Sequence, residues 1–268
     1  MTTDNVLLEE REGSVLILSL NIPARLNPIS RDLQAALRTR LAQLRTDDSV
    51  HAIVLTGAGK AFCVGADLSS MGKDPAAQGS LGERTYEGME GMSNRLIEDL
   101  RSMPIPVVCA VNGPAAGAGV GIALAADIVL AARSAYFYLP FMPKLGIVPD
   151  LGTTWFLERF VGRARAVGMS LLGEKLSGEQ AAQWGLVWSC VEDAHLRSEA
   201  IAVAQRLAKL PTHAVGEIRA AYEHAGSQPL VAQMRYEAER QRELIDKPSF
   251  AEGVKAFLEK REPVFPRG

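Results

Sequence analysis

With 268 residues, 47% of them hydrophobic and 22% charged, the chain is long enough for one large domain or two and apolar enough for a sizeable core. A formal net charge of −2, with Lys and Arg dispersed, excludes a polyanion-binding groove but leaves room for a single small anionic ligand. Cys63, Cys109 and Cys190 are few and widely spaced, which excludes a disulfide framework; with no signal-peptide pattern in Met1-Thr2-Thr3-Asp4-Asn5, a cytoplasmic protein is expected.

In chain order, residues 6–10 and 15–20 flank a Glu12-Gly13 turn and predict a hairpin. Ser30 is the expected N-cap of a helix whose Leu33, Leu37, Leu41 and Leu44 recur at helical spacing. Residues 52–56 predict a buried strand. Residues 71–91, rich in Gly, Ala and polar side chains, are expected to be mobile and to wall part of a binding site, with helix resuming near Met92 and running to Arg101. Residues 105–126 are apolar enough to raise the question of a membrane span, but Asn112-Gly113-Pro114 and four glycines break them into strand, turn and helix. Strands follow at 128–131 and 135–138. Beyond Thr153 the pattern turns helical: a capping box at Ser177-Gly178-Glu179-Gln180, then helices near 196–210, 211–224, 230–245 and 250–260. Strand–helix alternation over the first two thirds predicts an α/β core with parallel strands.

Two segments stand out. Lys60-Ala61-Phe62-Cys63-Val64-Gly65-Ala66-Asp67-Leu68 and Asn112-Gly113-Pro114-Ala115-Ala116-Gly117-Ala118-Gly119-Val120-Gly121 each read as a strand entering a small-residue turn and then a helix, the second beginning near Ala116 and running to about Ala126. Such turns leave backbone N–H groups uncovered. Converging, two of them make an oxyanion hole, where each donor contributes roughly 3–4 kcal/mol to a transition state. The second turn is no dinucleotide loop: Gly117, Gly119 and Gly121 give GxGxG rather than GxGxxG, and Asp127 comes too early to meet a ribose.

This pair of turns resembles the signature of the crotonase (enoyl-CoA hydratase/isomerase) superfamily. The resemblance implies an α/β crotonase-like spiral of ββα turns in residues 1–200, carrying the CoA-thioester site, and a helical trimerisation region in 201–268. It implies a homotrimer or dimer of trimers acting on an acyl-CoA thioester. No metal or redox cofactor is expected, since coenzyme A is part of the substrate, and neither nucleic acid nor membrane is an expected partner. Ala66 and Ala118 align with the family's oxyanion donors. Arg25, Leu26, Val64, Gly65, Asp67, Leu68, Gly117 and Met142 align with its thioester site. Arg25 is a candidate for a CoA phosphate, with Lys255 and Lys260 further candidates, often supplied in the family by a neighbouring subunit.

The two glutamates of the superfamily's hydratases fall at Gly121 and Met142, which carry no proton, so the two-glutamate hydration route is not expected. Asp150, directly after Leu145-Gly146-Ile147-Val148-Pro149, occupies the position used by the family's dienoyl-CoA isomerases, ring-epoxide phenylacetyl-CoA isomerases and chlorobenzoyl-CoA dehalogenases. The stretches 144–152, Thr154-Trp155, 162–166, 184–187 and 252–258 are most similar to the ring-epoxide isomerase group. Methionine at 142 speaks against the dehalogenase. In an apolar pocket Asp150 would have a raised pKa suited to moving a proton between carbons; the competing role is a helix cap. An isomerase is therefore expected, with an enoyl-CoA hydratase or a catalytically silent acyl-CoA-binding subunit as alternatives. Phe137, Tyr138, Phe141 and Trp155 could face an aromatic acyl group, though packing is the commoner role of such residues. Glu83, Glu87, Glu98 and Asp99 are expected to form a solvated face, and the four histidines show no metal or triad spacing.

Overall fold

The hairpin forms as expected from β1 (Leu7–Glu12) and β2 (Val15–Leu20), joined at Gly13. The computed structural model describes residues 5–68 and 78–266. Then come α1 (Arg31–Leu44), β3 (Ala52–Gly57), α2 (Leu81–Gly88), α3 (Asn94–Arg101), β4 (Val107–Val111), β5 (Ala115–Ala116), α4 (Ala118–Leu124), β6 (Ile128–Ala132) and β7 (Tyr136–Tyr138). The last part holds α5 (Thr153–Val161), α6 (Arg163–Leu172), β8 (Leu176–Ser177), α7 (Gly178–Trp184), β9 (Ser189–Val191), α8 (Leu196–Leu207), α9 (Ala214–Ala225), α10 (Leu230–Ile245) and α11 (Pro248–Glu259).

One sheet runs β1-β2-β3-β4-β6-β9, parallel except for the β1–β2 pair; a second, small sheet runs β5-β7-β8. Strands β2 and β4 are buried along their whole length, as unbroken apolar runs in parallel sheets are. Glu9, Glu10, Arg11 and Glu12 are exposed along β1, whose charges blunt the open edge. Ser30 caps α1 by accepting the Leu33 N–H, and Leu33, Leu37, Leu41 and Leu44 are buried. Successive turns of the spiral add one strand to the large sheet and a short piece to the small one: β4 leads to β5, and β6 to β7.

Four local expectations are corrected. Residues 81–91 are helical, because Ser80 and Glu83 form a reciprocal capping box (Glu83 N–H to Ser80 Oγ 3.1 Å, Ser80 N–H to the Glu83 carboxylate 2.7 Å). A π-helical turn, Met89–Ser93, joins α2 to α3. Residues 71–77 of that stretch lie outside the described residues. At Ser177 only half of the expected box forms: Ser177 Oγ accepts the Gln180 N–H (3.2 Å), while the Gln180 side-chain Nε2 donates to Gln183 Oε1. The helix after the second turn opens at Ala118, because Ala115 and Ala116 are committed to pairing with β7, and it ends at Leu124. The first turn runs non-helical through Leu68.

The core extends from Leu7 to Ala208. Beyond Ala208 only Gln233, Ser249 and Ala256 are buried among the described residues. Helix α9 is fastened to the core by Arg219, which donates to both carboxylate oxygens of Asp127 (2.6 Å each) and to the carbonyls of Arg101 and Met103.

Candidate active site

The small sheet brings the two turns together. Cys63 bridges Ala115 in parallel, and Ala115 pairs in turn with Phe137 of β7. The Ala116 N–H donates to the Cys63 carbonyl (2.9 Å) and the Gly117 N–H to the Tyr138 carbonyl (2.9 Å). Ala66 and Ala118 each lie three residues beyond a member of this ladder, so its register sets them side by side. Gly65 (φ +83°) and Gly117 (φ +53°) supply left-handed backbone there. A Cβ on Gly65 would sit 3.0 Å from the Ala118 nitrogen and 2.9 Å from the Ala116 oxygen. Among the described residues neither the Ala66 nor the Ala118 N–H has an acceptor. Ala118 opens α4, where N–H groups lack intrahelical partners. Gly119 lets α4 pack on the first turn, for a Cβ there would meet the Cys63 oxygen at 2.2 Å. Cys63 itself is fully buried, its thiol pushed up to about 11 by desolvation, and serves packing.

Asp150 lies on the turn that leads into α5. Its Oδ1 is buried with no hydrogen-bond partner, and burial pushes its pKa up to about 6. It does not cap α5: the N-cap is Gly152, and the Thr153 N–H donates to the Asp150 main-chain carbonyl (2.9 Å). Leu151 (φ +50°) and Gly152 (φ +72°) are both left-handed, an unusual state for a buried leucine. Thr153 is fully buried, and its Oγ1 too has no partner.

The expected CoA segment is built by Asn27, which is buried and left-handed. Its side chain accepts the Ile22 N–H (2.8 Å) and donates to the carbonyls of Ala58 (2.9 Å) and Ala61 (2.8 Å). The Ile29 N–H reaches the Gly65 carbonyl (2.8 Å), which ties this segment to the first turn. Arg25 pairs with Asp67 at 2.5 Å, so two expected binding residues meet each other. Val64 is half-buried, whereas Ala66, Leu26 and Leu68 are exposed. Met142 is partly exposed on a π-helical turn, Phe141–Leu145, and the preceding ring, Phe141, is what reaches Gly117. Lys255 and Lys260 are exposed on and just after α11. Phe137 belongs to the core, and Trp155 is stacked under the Arg159 guanidinium, 3.9 Å from the ring centroid. Asp99 pairs with Arg38 and Glu98 with Arg95. No cluster of His, Cys, Asp and Glu suited to a metal ion occurs among the described residues.

The sequence reading missed Leu151, Thr153 and their close approach to the backbone of Gly121. The only local signal was a small residue directly after Asp150-Leu151.

This arrangement has close counterparts. The enoyl-CoA hydratase/isomerase family model matches residues 10–267. The chain belongs to the enoyl-CoA hydratase/isomerase family. It is 44% identical to the 1,2-epoxyphenylacetyl-CoA isomerase of Escherichia coli over 97% of both chains. It is 43% identical to a Rhodobacter capsulatus protein named a probable enoyl-CoA hydratase, over 99% of both. The crystal structure of enoyl-CoA hydratase subunit I from Geobacillus kaustophilus superposes with a TM-score of 0.87 at 32% identity, covering 98% of each chain. The fold is thus the crotonase fold expected from the two turns. Within this family member, no helix among the described residues is long and apolar enough to cross a membrane.

Proposed function

We propose that the protein is a CoA-thioester isomerase in which Asp150 carries a proton between carbons. The Ala66 and Ala118 N–H groups hold the thioester oxygen as enolate character develops. The observation that carries this reading is the largely buried carboxyl of Asp150, whose Oδ1 has no hydrogen-bond partner, beside a site whose two hydratase positions, Gly121 and Met142, hold no titratable group. A carboxyl with a pKa of about 6 exchanges protons readily near neutrality. The name of the Escherichia coli relative supports a ring-epoxide substrate, and double-bond migration in an enoyl-CoA uses the same groups. The 43% identical relative, named a probable hydratase, keeps hydration as the second reading. No metal or redox group has a part in this scheme, and Arg25, Lys255 and Lys260 are the candidates for the CoA phosphates.

The test is mass spectrometry of 3-enoyl-CoA, 2-enoyl-CoA and the ring-epoxide ester after incubation with the protein in deuterated water. Deuterium uptake with a moved double bond, or opening of the epoxide ring to its isomer, is expected. Gain of one water would replace the isomerase by a hydratase. Tight binding with no change to any ester would leave a silent acyl-CoA binder.

A further inference from the structure

Gly121 lies one helical turn beyond Ala118, on the face of α4 that meets the Asp150 turn. A Cβ at this position would lie 2.5 Å from the Leu151 oxygen, 3.0 Å from the Leu151 Cβ and 3.0 Å from Thr153 Oγ1. The nearest of these is backbone, so the turn itself would have to move, and Asp150 is its first residue. The turn also has little slack. Leu151 and Gly152 are both left-handed, Leu151 and Thr153 are buried, and the Thr153 N–H is committed to the Asp150 carbonyl. Strain of this kind persists only where the surroundings enforce it, and here the enforcing surface is the bare backbone of α4.

We propose that Gly121 is a positioning residue for the reaction: by contributing no side chain it lets the 150–153 turn close on α4, and this holds Asp150 in its apolar place. A side chain at 121 and Asp150 in its present position then exclude each other. The glycine at a hydratase glutamate position is accordingly a structural requirement of the aspartate at 150, and restoring glutamate there gives no hydratase. The inference rests on Asp150 as the proton carrier, but the position of its carboxyl is measured separately. Helix α4 contains no ionisable residue, and no charged side chain among the described residues shifts the Asp150 carboxyl, whose titration therefore reports burial, opposed only by a bond from its own main-chain N–H.

The experiment is a carbon-13 titration of labelled aspartate carboxyls in the full-length protein and its Gly121→Ala variant, with the Asp150 signal assigned through Asp150→Asn. In the variant the Asp150 midpoint is expected to fall from about 6 toward an ordinary value of about 4. Turnover should drop about 10²-fold while binding of a saturated acyl-CoA persists, and Gly121→Glu should show the same loss with no water added to an enoyl-CoA. An unchanged midpoint in folded Gly121→Ala overturns the inference. A shifted midpoint with full turnover keeps the packing of the 150–153 turn on Gly121 but overturns its part in the reaction, and removes Asp150 from the chemistry. Should Gly121→Ala fail to fold, the double variant Gly121→Ala/Leu151→Gly, which removes the Leu151 Cβ 3.0 Å from the new methyl and frees the turn to move away from it, decides: its Asp150 midpoint must fall, and constancy overturns the proposal.

Discussion

Asp150 and Thr153 end in polar atoms that are buried without partners, and each makes a different prediction. For Asp150→Asn, turnover is expected to fall by about 10²- to 10⁴-fold with saturated acyl-CoA binding retained; retention of turnover would remove the residue from the reaction. In the wild type, kcat/KM should rise as pH passes through about 6, where the carboxylate forms. The stability effect has the opposite sense to that of a salt-bridged carboxylate. Because the folded pKa is raised by burial, its favourable contribution is complete below about pH 4 and is lost as pH rises through about 6. Asparagine avoids that loss, so the variant should exceed the wild type by up to about 3 kcal/mol above neutrality and match it near pH 4. Urea unfolding at the two pH values checks this, and an equal difference at both would refute it. Thr153→Val keeps the packed shape and deletes an unsatisfied hydroxyl, so a gain of about 1 kcal/mol is expected. A lower Tm would mean that the hydroxyl has a partner in solution.

Between elements, the contact of greatest consequence is the one between the two turns. Gly65→Ala places a methyl 2.9–3.0 Å from Ala116 oxygen and Ala118 nitrogen on a left-handed backbone. A destabilisation of about 1–3 kcal/mol is expected, with turnover falling about 10²-fold as the donors separate; unchanged kinetics would sever this geometry from function. Arg219→Ala leaves the half-buried Asp127 without its bidentate partner, keeping only the Val107 N–H, and should cost about 2–3 kcal/mol, read by denaturant titration. Helix α1 was legible because four leucines at helical spacing follow a good cap. Helix α2 was not, because three glycines between 82 and 91 masked a Ser80–Glu83 box that the sequence does spell out. Strand β5 is two residues long, too short for any periodicity, and exists only because β7 pairs with it.

At the scale of the whole molecule, the C-terminal helices present apolar side chains to solvent. Phe257 is 83% and Leu258 74% exposed, beside a groove of about 450 Å³ lined by Leu244, Phe250, Val254 and Phe265. A continuous apolar face of this kind is what a partner covers, which supports the proposed trimer or dimer of trimers. Sedimentation should find the assembly, and Phe257→Glu should shift it toward smaller species; an intact assembly in that variant would place the interface elsewhere. The division expected at residue 200 comes from the family resemblance; the last buried member of the core cluster is Ala208.

By itself the sequence determined the strand–helix alternation, the two glycine turns, the leucine face of α1 and the presence of a carboxylate at 150 in place of glutamates at 121 and 142. These are local properties: hydrophobic period, left-handed backbone and side-chain chemistry are written residue by residue. Only the tertiary structure decided that Cys63, Ala115 and Phe137 share one ladder and so bring Ala66 beside Ala118. It also decided that Arg25 meets Asp67, that Asp150 turns one carboxylate oxygen inward rather than capping α5, and that Gly121 is the surface against which its turn rests. Each of these joins residues about 20 to 50 positions apart, and such pairings are fixed by sheet register and close packing, which no local pattern encodes.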